Sequence, residues 1–327
     1  MEITRVGEIM ANDPEHKQSP LDPNYAFGSA FVADHCCPIF EAAVPIFDSG
    51  FMHADAVYDV VSVSRGSFFR LEQHQARFAR SCDTIRVKNP FGREREAEIL
   101  NELVARAGLR DAYVWWTVTR GIPPMGRNEM VDASTFGNRF YAFAIPFVFI
   151  FDDDQRARGV DLIVSRDRIR ISPRAVDPTA KNFCWLDMQM ALFEAGDRGA
   201  EWAVLTDEAG FLAEATGANI FAVIDGVVVT PEEGCLEGIT RQSVFDLCDE
   251  LGLPAKATQI RADELRSAQE VFMTTTAGSV MPVRSVDGEL IGGRDAPGDV
   301  SIRLHNLYWE KRWAGWDATP VRYELSD

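Results

Sequence analysis

The sequence predicts a mixed α/β fold in two domains. The chain has 327 residues, a length that suits roughly two domains of about 150 residues each. Its composition is that of a folded protein, with 46% hydrophobic and 25% charged residues. In both halves, runs rich in β-branched and aromatic residues alternate with helical patterns. We therefore expect a smaller domain over 1–150, a linker over 151–158 and a larger domain over 159–327.

The spacing of apolar residues predicts the elements of the first half. The first 25 or so residues are polar and suggest an irregular arm. Short apolar runs from Ala26 to Phe47 predict strands, and a glycine turn at Arg65-Gly66 predicts a hairpin within 58–71. Amphipathic spacing predicts helices over 71–85 and 92–109, and β-branched and aromatic residues predict strands over 111–121 and 138–151.

The pattern restarts after the charged stretch Asp152 to Gly159, which is the candidate linker. The second half is again a mixture of strands and helices. Strands are predicted over 160–165, 201–207, 219–230 and within 270–291, and helices over 187–199, 240–252 and 299–316.

Charge and cysteine usage exclude several classes of function. The net charge of −17 argues against nucleic acid or an anionic membrane surface as partner, because both attract basic patches. No apolar stretch reaches the ~20 residues that span a bilayer, and no signal peptide is evident. The six cysteines and five histidines show no metal-binding or disulfide spacing, so we expect reduced thiols, no metal site and a cytoplasmic protein.

Two residues suggest chemistry on a carbonyl compound. Lys181 is one of only five lysines and borders the apolar run that contains Trp185. Desolvation at such a place favours the neutral amine, which can form a Schiff base. Glu214 lies among small residues before Thr216-Gly217, where a carboxylate could hold a protonated ring nitrogen. A surface lysine and a solvated glutamate are the alternative interpretations of each motif alone.

Three further motifs could bind an anion. Ile239 and Thr240 begin a predicted helix, whose backbone N–H groups and hydroxyl could bind phosphate. Thr276 ends a run of threonines before a glycine, and Arg77 on an upstream helix could add a bidentate contact. Taken singly, these are equally typical of a helix cap, a turn and a solvated helix face.

Together these motifs resemble one known family. The blocks "DPTAKNFCWLDM", "GFLAEATGANIFAV", "LEGITR" and "FMTTTAGSVMPV" are similar, in the same order, to those of fold-type IV pyridoxal-phosphate aminotransferases. The likeness runs from about Ala42 to Tyr323 and implies a two-domain architecture like that of D-amino-acid aminotransferase, with a C-terminal cofactor-binding domain. It implies that Lys181 is the Schiff-base lysine and that Glu214 contacts the pyridine nitrogen. Phosphate would be held by Arg77, Ile239, Thr240 and Thr276.

The segment "GFMHADAVYDVV" is most similar to the (R)-selective amine transaminases of this family. That likeness implies a substrate pocket lined by His53, Tyr58, Val60, Tyr113 and Trp185, with Arg127 as a loop cation for the keto-acid carboxylate. Trp115 and Trp116 are neighbours on a strand and should point to opposite faces. We expect Trp115 to border the pocket and to narrow it.

The resemblance therefore implies a ping-pong transfer of an amino group from a primary (R)-amine to a pyruvate-type keto acid. Lys181 would act as the general base. Within the family, the alternatives are a D-amino-acid or branched-chain aminotransferase and, behind these, an aminodeoxychorismate-lyase-like enzyme. A non-enzymatic α/β scaffold is the alternative from another class. The resemblance also implies a homodimer with the pocket at the subunit interface. His53 and Arg127 could then contribute to the pocket of the neighbouring subunit.

Overall fold

The computed structural model describes residues 1–124 and 132–325. These residues form two compact units, each built around its own sheet. The seven-stranded unit consists of Met10–Val148, Ala180–Phe183 and Gly315–Asp327. The nine-stranded unit consists of Met1–Ile9, Phe149–Thr179 and Cys184–Ala314. The mixed α/β prediction is confirmed.

The helices and strands of the described residues are numbered in chain order. The α-helices are α1 (Val6–Asn12), α2 (Ser49–His53), α3 (Leu71–Ile85), α4 (Arg93–Arg106), α5 (Asp153–Arg158), α6 (Leu186–Asp197), α7 (Ile239–Glu250), α8 (Ala262–Arg266) and α9 (Asp299–Trp313). The strands of the seven-stranded sheet are β1 (Ser29–Val32), β2 (His35–Pro38), β3 (Ala56–Ser64), β4 (Ser67–Phe69), β5 (Ala112–Ile122), β6 (Gly137–Pro146) and β16 (Ala318–Pro320). The strands of the other sheet are β7 (Val160–Val164), β8 (Trp202–Thr206), β9 (Leu212–Ala215), β10 (Asn219–Ile224), β11 (Val227–Thr230), β12 (Ala255–Ala257), β13 (Glu270–Thr275), β14 (Ser279–Val286) and β15 (Glu289–Leu290).

The seven-stranded sheet is antiparallel at each of its strand pairs and has the order β16-β4-β3-β5-β6-β1-β2. The predicted hairpin is confirmed: β3 and β4 meet at Arg65 and Gly66, which have φ of +48° and +71°. Both residues therefore adopt the left-handed conformation that a tight hairpin turn requires. Helices α3 and α4 cover one face of this sheet and complete a hydrophobic core with it.

The nine-stranded sheet mixes parallel and antiparallel pairs, in the order β12-β11-β10-β13-β14-β7-β8-β9 with β15 beside β14. The parallel pairs are β7 with β8, β7 with β14 and β11 with β12. Its core is a second cluster of buried aliphatic residues that is separate from the first. No helix in the part of the chain that the structure describes is long and apolar enough to cross a bilayer.

Some predicted elements differ from the structure. The N-terminal stretch is not wholly irregular, because it contains α1, whose Val6 is buried. The candidate linker folds as α5, since Asp152 and Gln155 form a capping box at its start. Strand β6 ends at Pro146 rather than continuing to Phe151, because proline cannot donate to the sheet ladder. Strand β9 has no counterpart among the predicted elements.

Apart from the boundary residues Phe149 and Ile150, three segments lie in a different compact unit from the one that the predicted domain bounds gave them. They are Met1–Ile9, Ala180–Phe183 and Gly315–Asp327. Thr4 explains the first case, because its N–H donates to Asn306 Oδ1 over 2.7 Å within the nine-stranded unit. Ala318–Pro320 explains the last case, because this short stretch is β16 and pairs with β4.

The carboxyl group of Glu96 is buried inside the seven-stranded unit. Glu96 on α4 accepts hydrogen bonds from Gln75 Nε2 at 3.1 Å and Asn89 Nδ2 at 2.6 Å. Burial disfavours its charged form and raises the pKa of Glu96 from an ordinary value of 4.5 to about 7. The folded chain therefore holds a proton here over a pH range in which the unfolded chain releases it.

We expect the free energy of unfolding, relative to that of Glu96→Gln, to fall as the pH rises from 4.5 to about 7. The sign follows because a raised pKa means that the folded state binds the proton more tightly, and the full effect is up to about 3 kcal/mol. Denaturant unfolding of both proteins at several pH values measures it. Glu94→Gln, at an exposed position of the same helix, is the control. A difference between wild type and Glu96→Gln that does not change with pH would contradict this prediction.

Candidate active site

The pleat of the three central strands of the seven-stranded sheet separates two sets of side chains. Strand register places Val60 opposite Trp115, and Trp115 opposite Phe143. Because side chains alternate along a strand, Tyr58 lies on the same face as these residues. On the opposite face, Trp116 is fully buried and packs edge-on against Phe78 of α3, with ring centroids 5.6 Å apart. The prediction that the two tryptophans diverge is confirmed.

Lys181 lies at the edge of this aromatic face. Its carbonyl accepts a hydrogen bond from Tyr58 N at 2.9 Å, and its N–H donates to Ser81 Oγ of α3 at 3.1 Å. Its Nζ is 4.4 Å from the centroid of the Tyr58 ring. Backbone bonds to β3 and to α3 thus fix the lysine at both its N–H and its carbonyl.

The Tyr58 ring beside Lys181 is part of a group of packed aromatic rings. The Tyr58 centroid is 5.8 Å from that of Trp115 and 5.6 Å from that of Phe183. Trp115 also stacks on Phe143, with centroids 5.2 Å apart and the planes 17° from parallel. This wall is rigid, because each ring touches at least one other and three of the four are carried by sheet strands.

The remaining predicted pocket residues differ in their positions. Val60 is buried on the aromatic face, and Tyr113 stacks on Phe143 at 6.3 Å. Burial raises the pKa of Tyr113 above its ordinary range, so its hydroxyl stays protonated. His53 is exposed at the end of α2. Arg127 lies outside the described residues.

Arg77 is buried beneath the sheet and forms a two-point ion pair with Asp59. Its Nε donates to Asp59 Oδ2 at 2.8 Å and its Nη2 to Asp59 Oδ1 at 2.7 Å. His74 Nδ1 lies 2.8 Å from the same Oδ1. Burial alone would raise the pKa of Asp59, but Arg77 and His74 outweigh it and hold that pKa well below the usual range. Burial is also the main reason why the pKa of His74 is lowered, against the pull of Asp59.

Glu214 lies in the nine-stranded unit, buried on β9. Its Oε1 accepts from Arg170 Nε at 2.9 Å and its Oε2 from Leu236 N at 3.2 Å. Arg170 also donates through Nη1 to Asp187 Oδ2 at 2.6 Å, so one buried guanidinium orients two carboxylates. A carboxylate fixed in this way offers its remaining lone pairs in a defined direction.

The predicted anion-binding residues of this unit follow a tight turn. Gly238 is the N-cap residue of α7 and makes no side-chain capping hydrogen bond, so Ile239 and Thr240 begin a helix with no side-chain cap. A Cβ at Gly238 would lie 2.0 Å from Asn219 Oδ1, so any larger residue would displace the Asn219 side chain. Register pairs Asn219 with Thr274, whose buried hydroxyl has no hydrogen-bond partner among the described residues.

Thr276 and Trp185 complete the predicted set in this unit. Thr276 is half-buried just after β13 and two residues beyond Thr274. Trp185 is the N-cap residue of α6 and is 37% exposed. Its Cη2 lies 2.6 Å from where a Cβ on Gly217 would be, and Gly217 has φ of +65°. A side chain at Gly217 would therefore displace the indole.

These residues fit the cofactor that the sequence resemblance implies. Lys181 carries a primary amine that could combine with an aldehyde, and buried Glu214 carries a negative charge that could balance a protonated ring nitrogen. The uncapped start of α7 and the unsatisfied hydroxyl of Thr274 are donors suited to a phosphate. The chemistry of these donors matches the aldehyde, ring and phosphate of pyridoxal phosphate.

Sequence reasoning missed several residues that shape these groups. Asp59, His74 and Ser81 contact Arg77 or Lys181, and Arg170 and Asp187 fix Glu214. Asp59 did carry a signal, because it interrupts the apolar run of β3. Arg170 carried none, since it is 44 residues from Glu214 in the chain.

Replacing Arg170 by methionine should lower the free energy of unfolding by about 3–5 kcal/mol, because Glu214 and Asp187 would lose their shared buried cation. Arg168→Met is the matched control, at an exposed position in the same segment, and should change stability by less than about 0.5 kcal/mol. Denaturant unfolding of both variants and the wild type measures the difference. Equal stabilities of the two variants would contradict the structural role assigned to Arg170.

Comparison with known proteins gives consistent matches. A family model described as amino-transferase class IV matches residues 56–286. The branched-chain-amino-acid aminotransferase of Pseudomonas aeruginosa is 32% identical over 249 residues, covering 75% of this chain and 78% of that protein. The D-alanine aminotransferase of Bacillus licheniformis is 32% identical over 263 residues, covering 80% of this chain and 89% of that protein.

A search of solved structures also finds aminotransferases. The crystal structure of the branched-chain aminotransferase from the archaeon Thermoproteus uzoniensis with norvaline matches with a TM-score of 0.80 at 27% identity, covering 90% of this chain and all of that one. The family match covers more than half of the chain, and its members use pyridoxal phosphate to exchange amino groups between amines and keto acids. The chain therefore belongs to the class IV aminotransferases, the fold-type IV enzymes that depend on pyridoxal phosphate.

Proposed function

We propose that the chain is an (R)-selective amine transaminase that transfers the amino group of a primary amine to a pyruvate-type keto acid. The observation that carries this proposal is the wall beside Lys181. Tyr58, Trp115 and Phe183 pack against one another there. Such a surface favours an amine with an aryl or alkyl substituent, because burying a charged substituent against it would be costly.

In this proposal each residue has a defined task. Pyridoxal phosphate, when bound, supplies an aldehyde that combines with amines and a ring that accepts electrons. Lys181 Nζ would bind that aldehyde and, as general base, would move a proton from the amine-bearing carbon of the substrate to the aldehyde carbon of the cofactor, on the side that the lysine occupies. Glu214 holds the ring nitrogen protonated. Arg77, Ile239, Thr240 and Thr276 bind the phosphate.

The pocket assignments belong to the same proposal. Val60 lies next to Trp115 on the sheet and limits the size of one substituent of the amine. Tyr113 and Trp185 border the remaining space, and Arg127 receives the carboxylate of the keto acid. Trp115 narrows the pocket, so small substituents are favoured on its side.

The relatives support a second candidate, an amino-acid aminotransferase. The two curated relatives described above are named for branched-chain amino acids and for D-alanine. Such donors carry an α-carboxylate, so the pocket receives a carboxylate from the donor and then another from the keto acid. A carboxylate-bearing donor requires a cation in the pocket during the first half-reaction as well as the second, so donor preference separates the two candidates.

The decisive experiment compares amino donors with pyruvate as acceptor. We expect (R)-1-phenylethylamine to convert at least tenfold faster than its (S) enantiomer and faster than D-alanine or L-leucine. Product amino acid is measured by chromatography, with 2-oxoglutarate as acceptor when D-alanine is the donor. A preference for D-alanine or for L-leucine would replace the proposal with the corresponding amino-acid aminotransferase. Repeated turnover that releases pyruvate from aminodeoxychorismate, with no keto acid added, would indicate a lyase.

Lys181→Ala is the control for the chemistry. It should lose turnover with every donor, because no other amine is assigned to the proton transfer. General base catalysis commonly raises the rate about 10²–10⁴-fold. We therefore expect the variant to turn over at least about 10²-fold more slowly than the wild type. Turnover by Lys181→Ala close to the wild-type rate would contradict the assignment of Lys181.

We further propose that the enzyme is a homodimer whose two active sites lie at the subunit interface. The seven-stranded unit exposes several large apolar side chains in the segment from Phe40 to Phe51, including Phe40 at 81%, Ile46 at 71% and Phe51 at 70%. The segment is held rigidly, because buried Asp48 accepts hydrogen bonds from Tyr141 Oη at 2.7 Å and Thr119 Oγ1 at 3.0 Å. Large exposed apolar surfaces commonly mark interfaces. His53 follows this segment and is assigned to the neighbouring subunit's pocket.

Sedimentation should give the mass of a dimer for the wild type and of a monomer for the double variant Ile46→Glu, Phe51→Glu. Two charges in an apolar interface would be buried without partners, which is strongly unfavourable. Leu290→Glu, at an exposed apolar position in the other unit, is the control and should sediment like the wild type. A wild type that sediments as a monomer, or a double variant that stays dimeric, would refute the proposed interface.

A further inference from the structure

A closed circuit of hydrogen bonds and covalent links joins Arg77 and Lys181, two of the predicted functional residues of the seven-stranded unit. Lys181 N donates to Ser81 Oγ at 3.1 Å, and Ser81 Oγ donates to the Arg77 carbonyl at 3.0 Å. The Arg77 side chain binds Asp59 on β3. The neighbouring residue of β3, Tyr58, returns to Lys181 through its N–H and the Lys181 carbonyl at 2.9 Å.

Asp59 controls the orientation of the Arg77 guanidinium. The carboxylate is fully buried, with Val60 N donating to Oδ1 at 2.7 Å and His74 approaching the same atom at 2.8 Å. It therefore cannot rotate without breaking these contacts. A two-point contact with a planar guanidinium fixes the plane as well as the position of the group. Asp59 thus sets the direction in which Arg77 presents its other N–H bonds.

Ser81 controls the backbone position of Lys181. The serine is fully buried one turn after Arg77 on α3, and its hydroxyl serves two partners at once. By donating to the Arg77 carbonyl, the hydroxyl directs a lone pair toward Lys181 N. The segment that carries the lysine is thereby held at a set distance from the helix that carries Arg77.

We propose that Asp59 and Ser81 are positioning residues for cofactor binding, with Asp59 aligning Arg77 toward the phosphate and Ser81 aligning Lys181 toward the aldehyde carbon. This inference rests on the roles proposed for Arg77 and Lys181. It assigns a different effect to each residue. Loss of Asp59 weakens the binding of every phosphate-bearing ligand, whereas loss of Ser81 weakens the binding of ligands that form a covalent bond to Lys181.

Two cofactor forms separate these effects in the apoenzyme. Pyridoxal phosphate binds through its phosphate and through a covalent bond to the lysine nitrogen, whereas pyridoxamine phosphate has no aldehyde and binds without that bond. Dissociation constants for both are measured by tryptophan fluorescence. No amine substrate is present, so the result does not depend on donor specificity.

For Asp59→Asn we expect pyridoxamine phosphate and pyridoxal phosphate to bind about 10- to 100-fold more weakly, the size expected when a charge-assisted hydrogen bond is misaligned. In an Arg77→Ala background, Asp59→Asn should change either affinity by less than about twofold, because the residue acts through Arg77. Asparagine is isosteric and retains one acceptor oxygen for Val60 N.

For Ser81→Ala we expect pyridoxal phosphate to bind about tenfold more weakly and pyridoxamine phosphate to change by less than about twofold. Thr84→Ala is the matched control. Thr84 lies on the same helix and donates to the Arg80 carbonyl at 2.9 Å in the same way, but at an exposed position. This variant should bind both ligands like the wild type.

Thermal unfolding of each apo variant separates misfolding from mispositioning, and Ser81→Ala tests the inference independently if Asp59→Asn does not fold. Wild-type affinities in either folded variant would overturn its half of the proposal. A loss in Asp59→Asn that persists undiminished in the Arg77→Ala background would also overturn it. A pyridoxamine phosphate affinity that Arg77→Ala leaves unchanged would instead refute the phosphate role of Arg77.

Discussion

Along β3, successive side chains point to opposite faces of the sheet, so Tyr58 and Val60 enter the aromatic face while Asp59 enters the core beneath α3. The same alternation on β5 separates Trp115 from Trp116. A shift of one residue in register would exchange the two sets and would turn Tyr58 and Val60 toward the core under α3. The pairing of β3 with β5 therefore determines both the wall beside Lys181 and the ion pair of Arg77.

Buried ion pairs occur in both units, and an arginine binds the buried carboxylates of Asp59 and Glu214. Arg77 binds Asp59, and Arg170 binds both Glu214 and Asp187. A planar guanidinium can satisfy two carboxylate oxygens in fixed geometry, which a lysine ammonium cannot do as well. The scarcity of lysine in the sequence is compatible with this use of arginine. It leaves Lys181 as a chemically distinct amine beside an aromatic ring.

Local signals predicted most of the fold. Apolar spacing predicted the bounds of α3 correctly, and the glycine in the pair Arg65-Gly66 predicted the hairpin turn. The sequence resemblance identified the family and its cofactor, which the comparisons confirm. What could not be predicted depends on distant contacts: β9 is a strand because it pairs with β8, and Arg170 meets Glu214 only after folding. Capping chemistry at Asp152 was readable, but its high charge suggested a linker instead of a helix.

The placement of β16 has a consequence for how the chain is made on the ribosome. This strand pairs with β4, and the residue after it, Val321, is buried in the core of the seven-stranded unit and donates to the Gly66 carbonyl at 2.8 Å. Tyr323 also reaches back to the Leu109 carbonyl at 2.7 Å. Although most of this unit is synthesised first, its sheet and core are completed only when residues 318–323 emerge. Loss of these few residues would therefore damage a unit whose other six strands all end by Pro146, far earlier in the chain.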